Sequence, residues 1–405
     1  MNTTFSGTIR EIAIGIYDGP HATPPESVDG PIFLGIENLT AEGRVDFSKV
    51  RHISEQRFPE WTRRVVPKPG DIVFSYEATL HRYGIIPEGF RGCLGRRLAL
   101  IRPDTSKVDN QFLFYYLLSP KWRGVVESNI ITGATVDRVP LKNFPSFPVQ
   151  IPSLDTQKRI ANVLSSYDNL IENNRRRIVL LEQTARLLYK EWFVHFRFPG
   201  HEHVKIVDGV PKGWTTVTIR DITDILSGFA FQSKAYQTEG TYGIVTIKNV
   251  QQSQFIPDCS SFIDVIPNNM PPHCHIKTGD ILLSLTGNIG RVCVVYGDNY
   301  LLNQRVAKLS ARTDIPSSYL YWLFSEDGMQ RKLENLSYGV AQQNLSPVKL
   351  AEQRVYLPSK ALLEEFDNFA ADILSSVSTL NLTNQRLKQA RDLLLPRLMN
   401  GEIAI

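Results

Sequence analysis

Cysteine is scarce and scattered in this 405-residue chain: Cys93, Cys259, Cys274 and Cys293 include no C-x-x-C pair. A disulfide framework is not implied, and reduced thiols in a cytoplasmic protein are the simplest reading. His273-Cys274-His275 neighbours Cys259 and Cys293, but at a spacing unlike that of zinc sites, so no metal is expected. Long apolar runs are missing as well; none reaches eighteen residues, which leaves no candidate membrane helix. The opening MNTTFSGTIREIA lacks a basic start followed by an apolar core, so no secretory signal is expected.

Catalytic signatures are equally absent. There is no GxxxxGK[ST] phosphate loop, no GxGxxG after a strand-like run, no HExxH and no GxSxG elbow. Neither the [ND]PP[YF] tetrad nor the glycine-rich cofactor loop of adenine methyltransferases is present. Asp71 and Asp280 recur beside turn glycines, where local capping is the plain role. The sequence points away from a self-contained enzyme. The net charge of +4 is a mild basic excess, compatible with nucleic acid without requiring it.

What is present is a long amphipathic stretch, Ser153 to Phe193, free of Pro and Gly. Its rows at spacing seven are Ile160, Tyr167, Asn174, Leu181, Leu188 and Leu164, Ile171, Ile178, Ala185, Trp192. Adjacent rows of this kind make one apolar stripe on a helix. About forty residues at ~1.5 Å each form a rod of roughly 60 Å. Asn174 is the polar member of its row, either facing water or making a register-setting polar contact. Arg175-Arg176-Arg177 reads as a solvated or partner-facing charge cluster, with DNA phosphates as the alternative.

The plan then repeats. Pro152-Ser153 aligns with Pro358-Ser359, which opens a second long amphipathic stretch with Phe366, Ile373, Leu380, Leu387 and Leu394 in its stripe. Pro396 is expected to end or kink it. Upstream, Thr8-Ile9-Arg10 answers Thr218-Ile219-Arg220, and Gly70-Asp71-Ile72 through Ser75 answers Gly279-Asp280-Ile281 through Ser284. Arg82 answers Arg291, Arg96-Arg97 answers Gln304-Arg305, and Thr132-Gly133 answers Tyr338-Gly339. Such duplication predicts a first globular unit over 1–152, a central long helix within 153–199, a second unit over 200–357 and a C-terminal long helix within 358–405. Each unit reads as α+β. Each helix alone would expose apolar surface, so the expectation is an antiparallel coiled coil with pseudo-twofold symmetry, in preference to each helix packing only on its own unit.

In this order the residues resemble the specificity subunit of type I restriction–modification enzymes. The likeness rests on two divergent units, each ending in Pro-Ser and a long helix. In the second unit it also rests on Pro211-Lys212-Gly213-Trp214, on Ser227-Gly228 with Phe229-Ala230-Phe231, and on Gly279-Asp280-Ile281-Leu282 with Thr286-Gly287-Asn288-Ile289-Gly290-Arg291. The first unit has Asp18-Gly19-Pro20-His21 in place of Ser-Gly, and its Tyr76–Tyr83 segment lacks the Thr-Gly-Asn turn. The resemblance implies a non-catalytic chain whose two target-recognition domains read the halves of a bipartite site in double-stranded DNA, the helical pair setting the gap. It implies two methyltransferase subunits carrying S-adenosylmethionine, and motor-nuclease subunits using ATP and Mg, with no cofactor in this chain, no membrane, and a cytoplasmic role in host defence. A scaffolding subunit with non-DNA-binding end domains, or an enzyme with an unseen motif, are the other readings.

Base edges are read by Arg, Lys, Asn, Gln and small polar groups, and phosphates by cations or exposed amides. In the first unit the candidates for DNA contact are His21, His81, Arg82, Arg96, Arg97 and Arg138. In the second they are Lys248, Asn249, Asn288, Arg291, Gln304, Arg305, Gln342, Gln343 and Asn344.

Overall fold

The computed structural model describes residues 4–131, 136–337, 344–403 and 405. Candidates Gln342 and Gln343 lie outside them. The central helix spans Leu154–Tyr189 and runs into a π turn over Lys190–Val194; the C-terminal helix spans Lys360–Met399. Pro396 does not end the second helix, which continues to Met399. The ring forgoes the hydrogen bond that residue 396 would donate to Asp392 O, one turn back, and the helix carries on for three residues past it. No helix among the described residues is long and apolar enough to cross a membrane.

Two compact units emerge, Met1–Leu170 with Leu387–Ile405, and Ile171–Arg386. The division therefore falls inside both helices. The reason is that helix ends complete the globular cores. In the first unit Ile160, Ala161 and Leu164 of the central helix share a buried cluster with Ile72, Phe112, Phe144, Ile151 and with Leu398 and Met399 of the C-terminal helix. In the second, Ala185, Tyr189, Trp192 and Phe193 share one with Ile219, Tyr319, Leu363, Phe366 and Ala370. Phe193 meets Phe366 edge-on at 5.0 Å between ring centroids.

Within each unit the two helix segments run antiparallel. Arg391 donates to Asp168 while Leu398 reaches the Ile160 level in the first unit, and Phe366 meets Tyr189 while Asn384 meets Asn174 in the second. Asn174 is 8% exposed, and its Nδ2 donates to Asn384 Oδ1 at 2.9 Å. Of its two sequence readings, the polar interhelical contact is the one found. Of the stripe residues, Ile160, Leu164, Ile171 and Phe366 are buried, and Tyr167, Ile178, Leu181, Leu188, Ile373, Leu380, Leu387 and Leu394 are half-buried.

The units share a four-stranded sheet of the same strand order, while their second sheets have three strands in the first unit and four in the second. In the first, a four-stranded antiparallel sheet places Ala13–Asp18 beside Leu98–Pro103, then Ile72–Ser75, then Tyr83–Ile85. In the second, Thr223–Ser227, Val306–Ala311, Ile281–Ser284 and Val292–Val294 follow the same order. A second sheet in each has one parallel pair, Ile32 opposite Gly92 and Gly243 opposite Tyr300. The strand leading into each long helix, Pro148–Ile151 or Arg354–Leu357, pairs with the unit's opening strand, Phe5–Thr8 or Thr215–Thr218. Asp71 and Asp280 each accept the backbone N–H three residues earlier, from Lys68 at 2.8 Å and Lys277 at 2.9 Å. They also pair with a sheet cation, Arg102 or Lys308. Both are structural turn caps.

Candidate nucleic-acid interface

At one end of the four-stranded sheet of the first unit, three loop segments are tied by backbone bonds. The chain leaves the Ile72–Ser75 strand at Tyr76, whose N–H donates to Arg97 O at 3.2 Å and whose carbonyl accepts from Val139 N at 2.7 Å. Ala78 N donates to Asp137 O at 3.1 Å, and the loop closes through Ser75 N to Arg82 O at 3.0 Å. Arg82, Arg96, Arg97 and Arg138 are thus brought together, Arg96 and Arg138 exposed. The Tyr76 hydroxyl donates to Arg96 O at 2.8 Å and pins the arginine turn from beneath. Burial, with Asp18 and Glu77 adding, pushes that phenol up to about 12, so it remains a neutral donor. Arg97 has its Nε 3.6 Å from Glu77.

The second unit builds the same junction from different side chains. Leu285 N donates to Arg305 O at 3.0 Å and Leu285 O accepts from Leu345 N at 2.8 Å. Ser284 N donates to Arg291 O at 2.9 Å. Asn288, Arg291, Gln304, Arg305 and Asn344 gather there, all exposed except half-buried Arg291. Thr286 pairs with Asn344 where Glu77 pairs with Arg138. With its amide oxygen turned to the guanidinium, Asn288 accepts from Arg291 at 3.0 and 3.1 Å, and Gln251 Oε1 accepts from the same group.

Both loops use one device. A buried serine hydroxyl, Ser75 or Ser284, donates to a carbonyl four residues on, Thr79 or Asn288, and accepts from the N–H of Arg82 or Arg291. Both loops also need two left-handed residues. The second supplies Gly287 (φ 70°) and Gly290 (φ 80°), the first Ala78 (φ 67°) and His81 (φ 61°). The first unit's loop thus has the backbone of the Thr-Gly-Asn turn without its glycines.

Four candidates lie away from the two junctions or serve the backbone, and one of them, Asn249, needs correction. Asn249 is not available to a base edge, being 2% exposed. Its Oδ1 accepts from Thr246 N at 2.9 Å, and its Nδ2 donates to Ile256 O at 2.9 Å and Asp258 O at 3.2 Å. Asn38 does the same work in the first unit, between Gly35 N, Asp46 O and Lys49 O. The shared Ile-x-Asn of Ile36–Asn38 and Ile247–Asn249 was the available signal. His81 serves the backbone turn; its half-buried ring sits 3.7 Å from Glu127, and burial, then Arg123, holds its pKa down. His21 is exposed and bonds Asp18 at 3.0 Å, and Asp18 also accepts from Arg64, a cation the sequence reading missed. Lys248 is exposed at the base of a hairpin, its carbonyl accepting from Gln251 Nε2 at 2.9 Å.

Among the described residues no three His, Cys, Asp or Glu side chains come together as a metal site. The arrangement offers guanidinium and amide groups in loops fixed by main-chain bonds, chemistry suited to base edges and phosphates.

Comparison with known proteins agrees. The family model described as type I restriction modification DNA specificity domain matches residues 37–183 and again 211–391. The type I restriction enzyme HindI specificity subunit of Haemophilus influenzae is 24% identical over 408 residues, covering 83% of this chain and 87% of the relative. The MjaVIII specificity subunit of Methanocaldococcus jannaschii is 24% identical over 355 residues, covering 85% and 81%. The fold is similar to that of the crystal structure of a type I restriction–modification S subunit from M. genitalium, with a TM-score of 0.58 and 16% identity over 98% of this chain and 96% of that one.

Proposed function

The chain belongs to the type I restriction–modification DNA specificity family as a non-catalytic specificity subunit, with the family's domain present twice, and on that premise we propose that each unit reads one half of a bipartite duplex site. The observation that carries this reading is the duplicated strand-end junction. One backbone framework presents Arg82, Arg96, Arg97 and Arg138 in the first unit, and Asn288, Arg291, Gln304, Arg305 and Asn344 in the second. A shared frame with different side chains is what reading two unlike half-sites requires. The helix segments set the unread gap. A duplex repeats every ~3.4 Å along each strand, and helices of 36 and 40 residues are long enough to span several base pairs.

The chemistry on DNA belongs to partners. Two methyltransferase subunits bring S-adenosylmethionine, motor-nuclease subunits bring ATP and Mg, and this chain scaffolds both without a cofactor of its own. The test is genome-wide mapping of methylated adenines in a host carrying the system. A single two-part motif with a fixed gap is expected. Methylation without such a motif, or methyltransfer by the isolated chain, would overturn the reading.

A further inference from the structure

A hairpin that the sequence reading passed over stands beside the second unit's junction. Val250–Gln251 pairs with Gln254–Phe255, and the turn is Gln252-Ser253, with Ser253 left-handed at φ 60°. The hairpin is fixed on two sides. Ser253 N donates to Val292 O at 2.8 Å, and Gln251 holds the Arg291 guanidinium. From the central helix, Arg186 donates to Ser253 Oγ at 3.1 Å. Beneath it lies the Asn249 staple. Gln251 is committed through both amide atoms, to Arg291 and to Lys248 O. Gln252 and Gln254 are exposed; Gln252 Oε1 accepts a long hydrogen bond from Val292 N at 3.4 Å, which leaves its amide N–H groups uncommitted, and the Gln254 side chain makes no hydrogen bond among the described residues.

The first unit carries the same element with another tip. Its Asn38 staple leads into a turn closed by Thr40 N to Arg44 O at 2.9 Å, with Ala41-Glu42-Gly43 across the top. This hairpin also meets a long helix, Glu42 against Lys388 at 3.4 Å. It lines a cleft of ≈ 480 Å³ with Thr79 and Arg82. Staple, helix contact and junction arginine are thus shared, and the tip differs, amides in one unit and Ala-Glu-Gly in the other.

We propose that the Gln251–Gln254 hairpin is a base-reading element for the second half-site, with Gln252 and Gln254 contacting adenine edges beside the held guanidinium of Arg291. A glutamine amide offers adjacent donor and acceptor groups, which match adenine N7 and N6 in the major groove. A reader of this kind must be exposed yet immobile, and this hairpin is both. The inference rests on the two-reader reading above.

The experiment assembles the full chain with its methyltransferase subunits and sequences the methylated products of a randomised duplex library. In Gln252→Ala/Gln254→Ala, discrimination for adenine at one or two positions of a single half-site falls roughly tenfold, and the other half-site is unchanged. Gln252→Glu, which presents acceptors only, shifts preference at the affected position toward cytosine. An unchanged motif in both variants overturns the inference, and so does equal weakening across all sequences, which marks phosphate contact. If the unaltered complex shows no two-part motif, the reading of the units has failed. If it shows one that the variants do not alter, only the hairpin assignment has failed.

Discussion

Ala78 and His81 hold backbone conformations that the second unit gives to Gly287 and Gly290. A Cβ in the left-handed region costs roughly 1–2 kcal/mol, partly offset by the greater entropy glycine loses on folding. Ala78→Gly is therefore expected to stabilise the protein by about 0.5–1 kcal/mol, read as a higher midpoint in denaturant. This is why the first loop was not recognisable as a Thr-Gly-Asn turn: its left-handed backbone is imposed by Ser75, Tyr76 and their partners, not by glycine. Asn249 misled for a related reason, since an Asn between strand-like runs looks the same whether its amide faces a base or staples a loop. Glu182 illustrates the electrostatic side. Burial raises its pKa from 4.5 to about 7, against the pull of Arg186. A folded-state value above the unfolded one means that the stabilising contribution is complete below pH 4.5 and lost as pH rises through about 7. At pH 8 the half-buried carboxylate is a burden. Glu182→Gln should raise stability there by about 1–3 kcal/mol, with the difference vanishing near pH 4, as thermal unfolding across pH would show.

At the level of elements, the two long helices were the most legible part of the sequence. Uninterrupted spacing-seven rows and the absence of Pro and Gly over Ser153–Phe193 are strong local signals, and the helix runs Leu154–Tyr189 before its π turn. Their partners were less legible. The rows identify an apolar stripe but not which stretch is spent on the other helix and which on a globular core, and here each helix does both. The Asn174–Asn384 bond fixes register in the second unit's helix pair, because any slip would leave the buried Asn174 amide without its partner. That register makes a clean test of the helices as a ruler. Duplicating seven residues in each helix keeps the stripes in phase and adds ~10 Å. The gap in the methylated motif should lengthen by about three base pairs, with both half-sites retained. An unchanged gap in a folded complex would remove the ruler.

For the whole molecule, the repeat was readable because it rests on residue order, Arg82 with Arg291 and Gly70-Asp71 with Gly279-Asp280. The limits of the units were not, because they depend on long-range packing: Leu387–Ile405 belongs with the residues up to Leu170. Truncation after Arg386 should therefore damage the first unit, whose core loses Leu398 and Met399 and the partly buried Leu394, Leu395, Ile403 and Ile405. Limited proteolysis of the truncated chain is expected to cut first within residues 4–131, with the second unit's core persisting. Equal persistence of both would contradict the shared core. The same packing has a consequence for synthesis. Most of the first unit leaves the ribosome before the second, but the side chains that close its core follow the second. At roughly 5–20 residues per second, the wait between Leu170 and Leu387 lasts on the order of ten to forty seconds. For that interval the apolar face around Ile160 and Leu164 lacks its cover. The first unit is thus begun before the second and finished after it, and a chain stalled shortly after Arg386 has only the second unit's core complete.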